Sequence, residues 1–284
     1  MFKTVKRVLL LLLAAIALWY IAACAYMFLT QRQHIFQPRP LLQTTPDRVG
    51  LKFEEVRIPV GSGADQGELY AWWIPADQPD APTLLYLHGN DKNVSHGHDV
   101  DNAGRMHSLG YNLLMVDYRG YGKSTGGEPS EAKVYEDAEA AWNYLLKQRS
   151  TAQRTFIYGH SLGGAIAIEL AIHHPEAAGL ITESTFTSMS DMGKRVYAYL
   201  PVDWLLNQYF DSLGKIDKLK IPVLLIHGTW DRVIPSQMSE RLFAQAPQPK
   251  LLKLIEGGEH NNDSSIAWLE YRDTLSAFVQ KYAH

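Results

Sequence analysis

Arg154 to His174, reading RTFIYGHSLGGAIAIELAIHH, is the stretch that leaves this chain least choice of fold. Thr155, Phe156, Ile157 and Tyr158 form a β-branched and aromatic run, which predicts a buried parallel strand. Gly159-His160-Ser161-Leu162-Gly163 follows, and Gly164 opens an apolar segment of helical length. A G-x-S-x-G pattern between a strand and a helix is a nucleophile elbow. Glycine is needed at 159 and 163 because a side chain there would collide with the adjoining strand and helix. Such a turn holds Ser161 in a strained backbone conformation with its hydroxyl above the sheet edge. The N-terminus of the next helix then offers unpaired N–H groups and a positive dipole end to an oxyanion. The five-residue pattern is short enough to arise by chance, so its partners decide.

The rest of the chain supplies a matching frame. Leu51 to Val60 and Glu68 to Ile74 alternate apolar and polar residues around a turn-rich GSGADQG, predicting an antiparallel hairpin at one sheet edge. Beyond it, the apolar runs 83–87, 112–116, 155–158, 179–182, 223–226 and 251–255 alternate mostly with helix-length segments. The clearest helices are expected at about 131–148, 162–174, 236–245 and 264–282. This is the signature of an α/β fold: a mostly parallel, eight-stranded sheet covered by helices on both faces. Ligands of such folds bind at the carboxyl ends of the strands. Ser184 to Lys220 breaks the alternation and is rich in aromatic residues and methionine, including Phe186, Met189, Met192, Tyr197, Tyr199, Trp204, Tyr209 and Phe210. It is longer than a crossover helix needs, so a cap inserted over the site at about 184–220 is expected.

A serine hydroxyl needs a general base, itself oriented by a carboxylate. In this fold the chain order is Ser, then acid, then His, each on a loop following a core strand. Asp231 follows the strand at 223–226, in His227-Gly228-Thr229-Trp230-Asp231, and His260 follows the strand at 251–255, in Gly257-Gly258-Glu259-His260. Ser161, Asp231 and His260 are therefore the candidate catalytic residues. Glu183, ending another core strand, is the alternative acid.

The chain resembles an α/β-hydrolase, and more narrowly the N-terminally anchored Bem/ABHD-type serine hydrolases. The matching residues are His88-Gly89-Asn90 with Asn93 and His96 beyond; Asp117-Tyr118-Arg119-Gly120-Tyr121-Gly122-Lys123-Ser124; the elbow itself; Glu183-Ser184-Thr185-Phe186-Thr187; Gly228-x-x-Asp231-x-x-Ile234-Pro235; and Gly258-x-His260. They spread over residues 88–260, and Ile35-Phe36-x-Pro38 resembles the leader of that subfamily. The resemblance implies an oxyanion hole made by the backbone N–H groups of Leu162 and Asn90. The subfamily usually carries small residues after that asparagine, where this chain has Asp91 and Lys92, so Asp91 is the alternative donor. A carboxylate there opposes an oxyanion unless Lys92 neutralises it.

Residues 8 to 29 carry no charge, and 22 helical residues span about 33 Å, enough for a bilayer core. Lys3, Lys6 and Arg7 precede the run, which favours a cytoplasmic N-terminus and a catalytic domain on the extracytoplasmic face. The expected organisation is a membrane anchor at 1–30, an extended proline-containing linker at 31–50 and a hydrolase domain at 51–284. A cleaved signal peptide competes, as does a lipoprotein signal with Cys24, the only cysteine, as the lipidated residue. Both would leave a purposeless apolar stub after cleavage.

A net charge of −3 with no basic block gives no support to nucleic-acid binding. His96-x-His98 with Asp99 and Asp101 suggests a metal, but the metallo-β-lactamase pattern requires Asp at Val100 and His at Asp101, so a solvated helix start is expected there and no metal or organic cofactor is implied. His88, His160 and His227, at strand ends beside glycines, are expected to stabilise loops, as is Arg119. Tyr118 could line the pocket. The expected activity is hydrolysis of a small-molecule carboxylic ester through an acyl-enzyme, with a lipid or lysolipid favoured by the anchor and the aromatic cap. A serine peptidase of the same fold and a non-catalytic membrane-tethered scaffold are the alternatives. Dehalogenase chemistry requires Asp where Ser161 stands.

Overall fold

The strands form where β-branched, aromatic and leucine side chains run without interruption, and each parallel strand ends in a glycine- or polar-rich loop on the same side of the sheet. A computed structural model describes residues 2–283. In chain order its elements are α1 (Phe2–Ile35), β1 (Gln37–Pro38), β2 (Glu54–Val60), β3 (Gly67–Ile74), β4 (Thr83–Leu87), β5 (Asp91–Lys92), α2 (Gly97–Ser108), β6 (Asn112–Val116) and α3 (Glu131–Gln148). They continue with β7 (Thr155–His160), α4 (Leu162–His173), β8 (Gly179–Glu183), α5 (Met189–Val196), α6 (Val202–Leu205), β9 (Val223–Gly228), α7 (Gln237–Gln245), β10 (Lys250–Ile255), α8 (Asp263–Ile266) and α9 (Trp268–Tyr282).

Eight strands make one sheet in the order β10-β9-β8-β7-β4-β6-β3-β2. Only the β2–β3 and β3–β6 pairings are antiparallel. Alternate residues of each central strand face opposite layers. Leu85 and Leu87 join α3, α4 and α7 on one side, while Leu84 and Tyr86 join α2 and α9 on the other. Every residue of β4, β6, β7, β8 and β9 is buried. Each Leu, Ile or Val side chain fully buried this way contributes about 1.5–3 kcal/mol.

Two departures from the sequence expectation have local causes. The helix expected at 264–282 is broken at Ala267, which lies outside the helical region at φ −130° and ψ 52°. The first helix does not stop at residue 30. It runs on to Ile35, because no helix breaker comes before Pro38 and Gln31 and Arg32 find partners on the domain. The chain beyond Ile35 hugs the domain: β1 pairs with β5, and the Asn93 side chain donates to the carbonyls of Arg39 and Leu41 at 2.8 and 3.0 Å. The most apolar stretch of α1 is not buried against the domain, and the helix is long and apolar enough to cross a membrane.

Arg119 shapes the loop after β6. Its side chain is fully buried; Nε donates to Asp137 Oδ1 at 2.6 Å and Nη2 to the Lys133 carbonyl at 3.0 Å. The Arg119 N–H reaches the other oxygen of Asp137 at 2.8 Å. Removing one partner of such a pair strands a buried charge. Arg119→Ala is therefore expected to lower the unfolding free energy by about 3–5 kcal/mol in urea melts of the full chain in detergent. A loss under about 1 kcal/mol would mean that the loop relaxes and Asp137 is rehydrated.

Candidate active site

Ser161 sits between β7 and α4 at φ 55° and ψ −119°, a conformation that side chains rarely adopt. Three hydrogen bonds hold it there. Its N–H donates to the Glu183 carbonyl at 2.9 Å, and its carbonyl accepts from the Gly164 N–H at 3.0 Å and the Thr185 hydroxyl at 2.9 Å. The glycines leave room for this turn. A Cβ on Gly159 would enter the backbone of Gly163 and Gly164, and one on Gly163 would strike the Leu87 and His88 carbonyls.

The loops after β9 and β10 bring two distant side chains to Ser161. His260 Nε2 lies 3.1 Å from Ser161 Oγ, and His260 Nδ1 donates to Asp231 Oδ2 at 2.7 Å. Asp231 Oδ1 accepts the N–H groups of Val233 and Ile234, each at 2.8 Å. His227 braces the same loop through the Ile234 carbonyl at 2.8 Å and Ser239 at 2.7 Å. Burial works against charge on Asp231. Hydrogen bonds from His227 and His260, the His260 charge and the Ile234 N–H outweigh it and hold the carboxyl well below the usual carboxylate range. Asn90 and Leu162 line the same cavity as Ser161. Among the described residues neither of their N–H groups donates to a protein acceptor. Asp91, the alternative donor, does not line that cavity; it is exposed in β5, with its carboxylate 3.4 Å from Lys92 Nζ.

Glu183, the alternative acid, is engaged below the site. It accepts hydrogen bonds from Tyr158 and, at 2.7 Å, from Tyr271. Sequence reasoning missed Asp263, which accepts from Ser184 at 3.1 Å and whose carboxyl burial pushes up to about 8, helped by the Glu183 charge. The expected solvated helix start at 96–101 is corrected: Asp99 is buried and accepts from Tyr86 at 2.7 Å. His98, Asp99 and His160 bring nitrogen and oxygen atoms within 4.8 Å of one another. They do so because α2 packs against the elbow, which no local pattern reveals. His160 donates to the His260 carbonyl at 2.9 Å, so this layer supports the backbone that carries His260. His88 lies inside, on the Gly89 carbonyl at 2.7 Å, and Tyr118 reaches the His88 carbonyl at 3.0 Å rather than the cavity.

Above Ser161 lies a cavity of about 300 Å³. The segment between β8 and β9 supplies much of its wall, including Phe186, Met189 and Met192, with Val233 and Ile234 opposite. Met27, Gln31, His34 and Ile35 of α1 form the remainder. Sequence reasoning gives the first helix no part in the site. The one signal is Gln31, a polar residue where the apolar run ends, which donates to the Leu205 carbonyl at 3.0 Å and accepts the Asn207 N–H at 2.8 Å.

Comparison with known proteins identifies the family and the fold. Residues 78–217 and 205–262 match the family described as serine aminopeptidase, S33. Protein bem46 of Schizosaccharomyces pombe is 34% identical over 207 residues, covering 70% of this chain and 67% of that one. Lysophosphatidylserine lipase ABHD12 of Danio rerio is 34% identical over 215 residues, covering 69% of this chain and 55% of that protein. Esterase Pf2001 of Pyrococcus furiosus superposes with a TM-score of 0.72 at 20% identity, covering 87% of this chain and all of that one, a likeness of fold. By its matched family, its relatives and its sheet, the chain belongs to the α/β-hydrolases of the Bem/ABHD type.

Proposed function

We propose that this protein is a membrane-attached serine carboxylesterase that cleaves single-chain acyl amphiphiles. Ser161 Oγ attacks the ester carbonyl as its proton passes to His260 Nε2, and that proton then goes to the leaving alkoxide. Asp231 keeps the imidazole in the tautomer with Nδ1 protonated and stabilises its cation. The N–H groups of Leu162 and Asn90 bind the oxyanion, each lowering the barrier by about 3 kcal/mol. Water, deprotonated by the same imidazole, releases the acid and restores Ser161. The uncharged run of α1 is the membrane attachment, and the preceding lysines and arginine favour a catalytic domain on the extracytoplasmic face.

The observation that carries this reading is the hydrogen-bonded row Ser161–His260–Asp231 at 3.1 and 2.7 Å, opening on a mainly apolar cavity. The zebrafish relative, by its name a lysophosphatidylserine lipase, favours a phospholipid ester with one acyl chain. The matched family's description raises peptidase activity as a second reading. Against it, the described residues lining the cavity include no carboxylate to hold a free α-ammonium group.

A fluorophosphonate probe is expected to label the wild type at one site and to leave Ser161→Ala unlabelled. Labelling that persists in that variant would remove Ser161 from the chemistry. Asp231→Asn is expected to lower kcat for a p-nitrophenyl ester by about 10³–10⁴-fold. An activity close to wild type would instead transfer the acid role to Glu183. Aminoacyl anilides turned over faster than esters would favour the peptidase.

The same aspartate gives a pH dependence of stability. Its carboxyl is held below the unfolded value of about 3.9, so its ionised form adds stability above about pH 4 that is lost as the pH falls. Urea melts are therefore expected to show the gap between wild type and Asp231→Asn narrowing from about pH 6 to about pH 3. A constant gap would mean that the carboxylate gains nothing from its partners on folding.

A further inference from the structure

We propose that the segment between β8 and β9 is immersed in the membrane interface beside α1, so that the cavity above Ser161 is loaded from the lipid rather than from water. This rests on the reading of α1 as a spanning helix. The occupant of the exposed face is the lipid bilayer itself.

The first support is where the domain grips α1. That helix is uncharged from Val8 to Gln31, and the domain does not wait for the run to end. Tyr20 Oη donates to the Tyr199 carbonyl at 3.0 Å, and Gln31 is bonded to Leu205 and Asn207. Tyr20 and Gln31 are eleven residues apart, about 16 Å along the helix, so the segment runs beside the last part of the apolar run. Upstream of Tyr20 the uncharged run offers only Val8 to Trp19, 12 residues or about 18 Å. A hydrocarbon core of about 30 Å needs more. Crossing it therefore uses residues 20–29 as well, and the polypeptide bonded alongside them enters the lipid with them.

The second support is what that polypeptide turns outward. Tyr199 and Trp204 are 68% and 89% exposed, and Val196, which also lines the cavity at its open edge, is 60% exposed. Neighbouring aromatic groups of this size left in water are unfavourable, whereas Tyr and Trp suit the headgroup boundary. Lys194 and Arg195 are exposed on the same short helix, where phosphate headgroups can meet them; Lys194 also pairs with Asp203 at 2.7 Å. The third support is the cavity wall. Met27 lies inside the apolar run and also lines the cavity, so one helix face connects lipid to Ser161. An acyl chain sliding along that face brings its ester carbonyl to the hydroxyl while the tail remains near hydrocarbon.

The test uses the full chain in phosphatidylcholine vesicles, with nitroxide spin labels and depth-resolved power saturation. One sample carries the label on native Cys24, the other on Trp204→Cys in a Cys24→Ala background. The expected result is that both labels are relaxed by oxygen and shielded from a water-soluble nickel chelate. A shielded label at 24 with a fully chelate-accessible label at 204 would overturn the proposal and leave the spanning helix intact. Labels accessible at both positions would defeat the spanning helix, and the proposal with it. Kinetics give an independent readout. Tyr199→Ser/Trp204→Ser is expected to hydrolyse soluble p-nitrophenyl butyrate within about twofold of wild type while losing tenfold or more on a monoacyl phospholipid in vesicles. Equal retention on both substrates would contradict loading from lipid.

Discussion

The whole region over the sheet depends on one unfavourable backbone conformation at Ser161. Positive φ at a residue with a side chain costs about 1–3 kcal/mol and persists only where the surroundings over-determine it. Here they do so from three sides. The Glu183 carbonyl takes the Ser161 N–H, Thr185 and Gly164 take its carbonyl, and two glycines let β4 and α4 close in to backbone contact. The strain lifts the hydroxyl out of the strand and leaves the first N–H of α4 beneath it. A relaxed turn would return the hydroxyl to the sheet, out of reach of His260.

The partners of Ser161 are held by a second tier of buried polar groups. His227 anchors the Asp231 loop, and His160 anchors the carbonyl of His260. Below them Glu183, Asp263, Tyr158, Tyr271 and Ser184 form a buried layer carrying two carboxyls. Burial, with the Glu183 charge beside it, pushes the Asp263 carboxyl up to about 8. Among the described residues Asp231 is the carboxylate bonded to the imidazole.

How much of this is legible in the chain depends on how local each signal is. β4 and β6 match their apolar runs end to end, because central parallel strands are buried on both faces and need no alternation. Ser161, Asp231 and His260 can be picked out because each lies in the loop after a parallel strand, His260 after the partly exposed edge strand β10, where the topology gathers loops. α2 is poorly legible: its polar face carries His98 and Asp99 inward against the elbow, contrary to the usual burial preference. The bond between Tyr20 and Tyr199 joins residues 179 apart and leaves no trace in periodicity. The extension of α1 to Ile35 is hidden because residues 31–35 read as polar linker, and only the domain surface gives their side chains partners.

That Ser161 carries the acyl group between the two halves of a reaction can be tested by chemical trapping. Rapid quenching of the full-length protein during turnover of a p-nitrophenyl ester, followed by proteolysis and mass spectrometry, reads the position of any acyl adduct directly. The expected result is a burst of p-nitrophenol and one acylated peptide, with the added mass on Ser161. Steady turnover with no adduct at Ser161, or an adduct on another nucleophile that forms and decays at the catalytic rate, would contradict it.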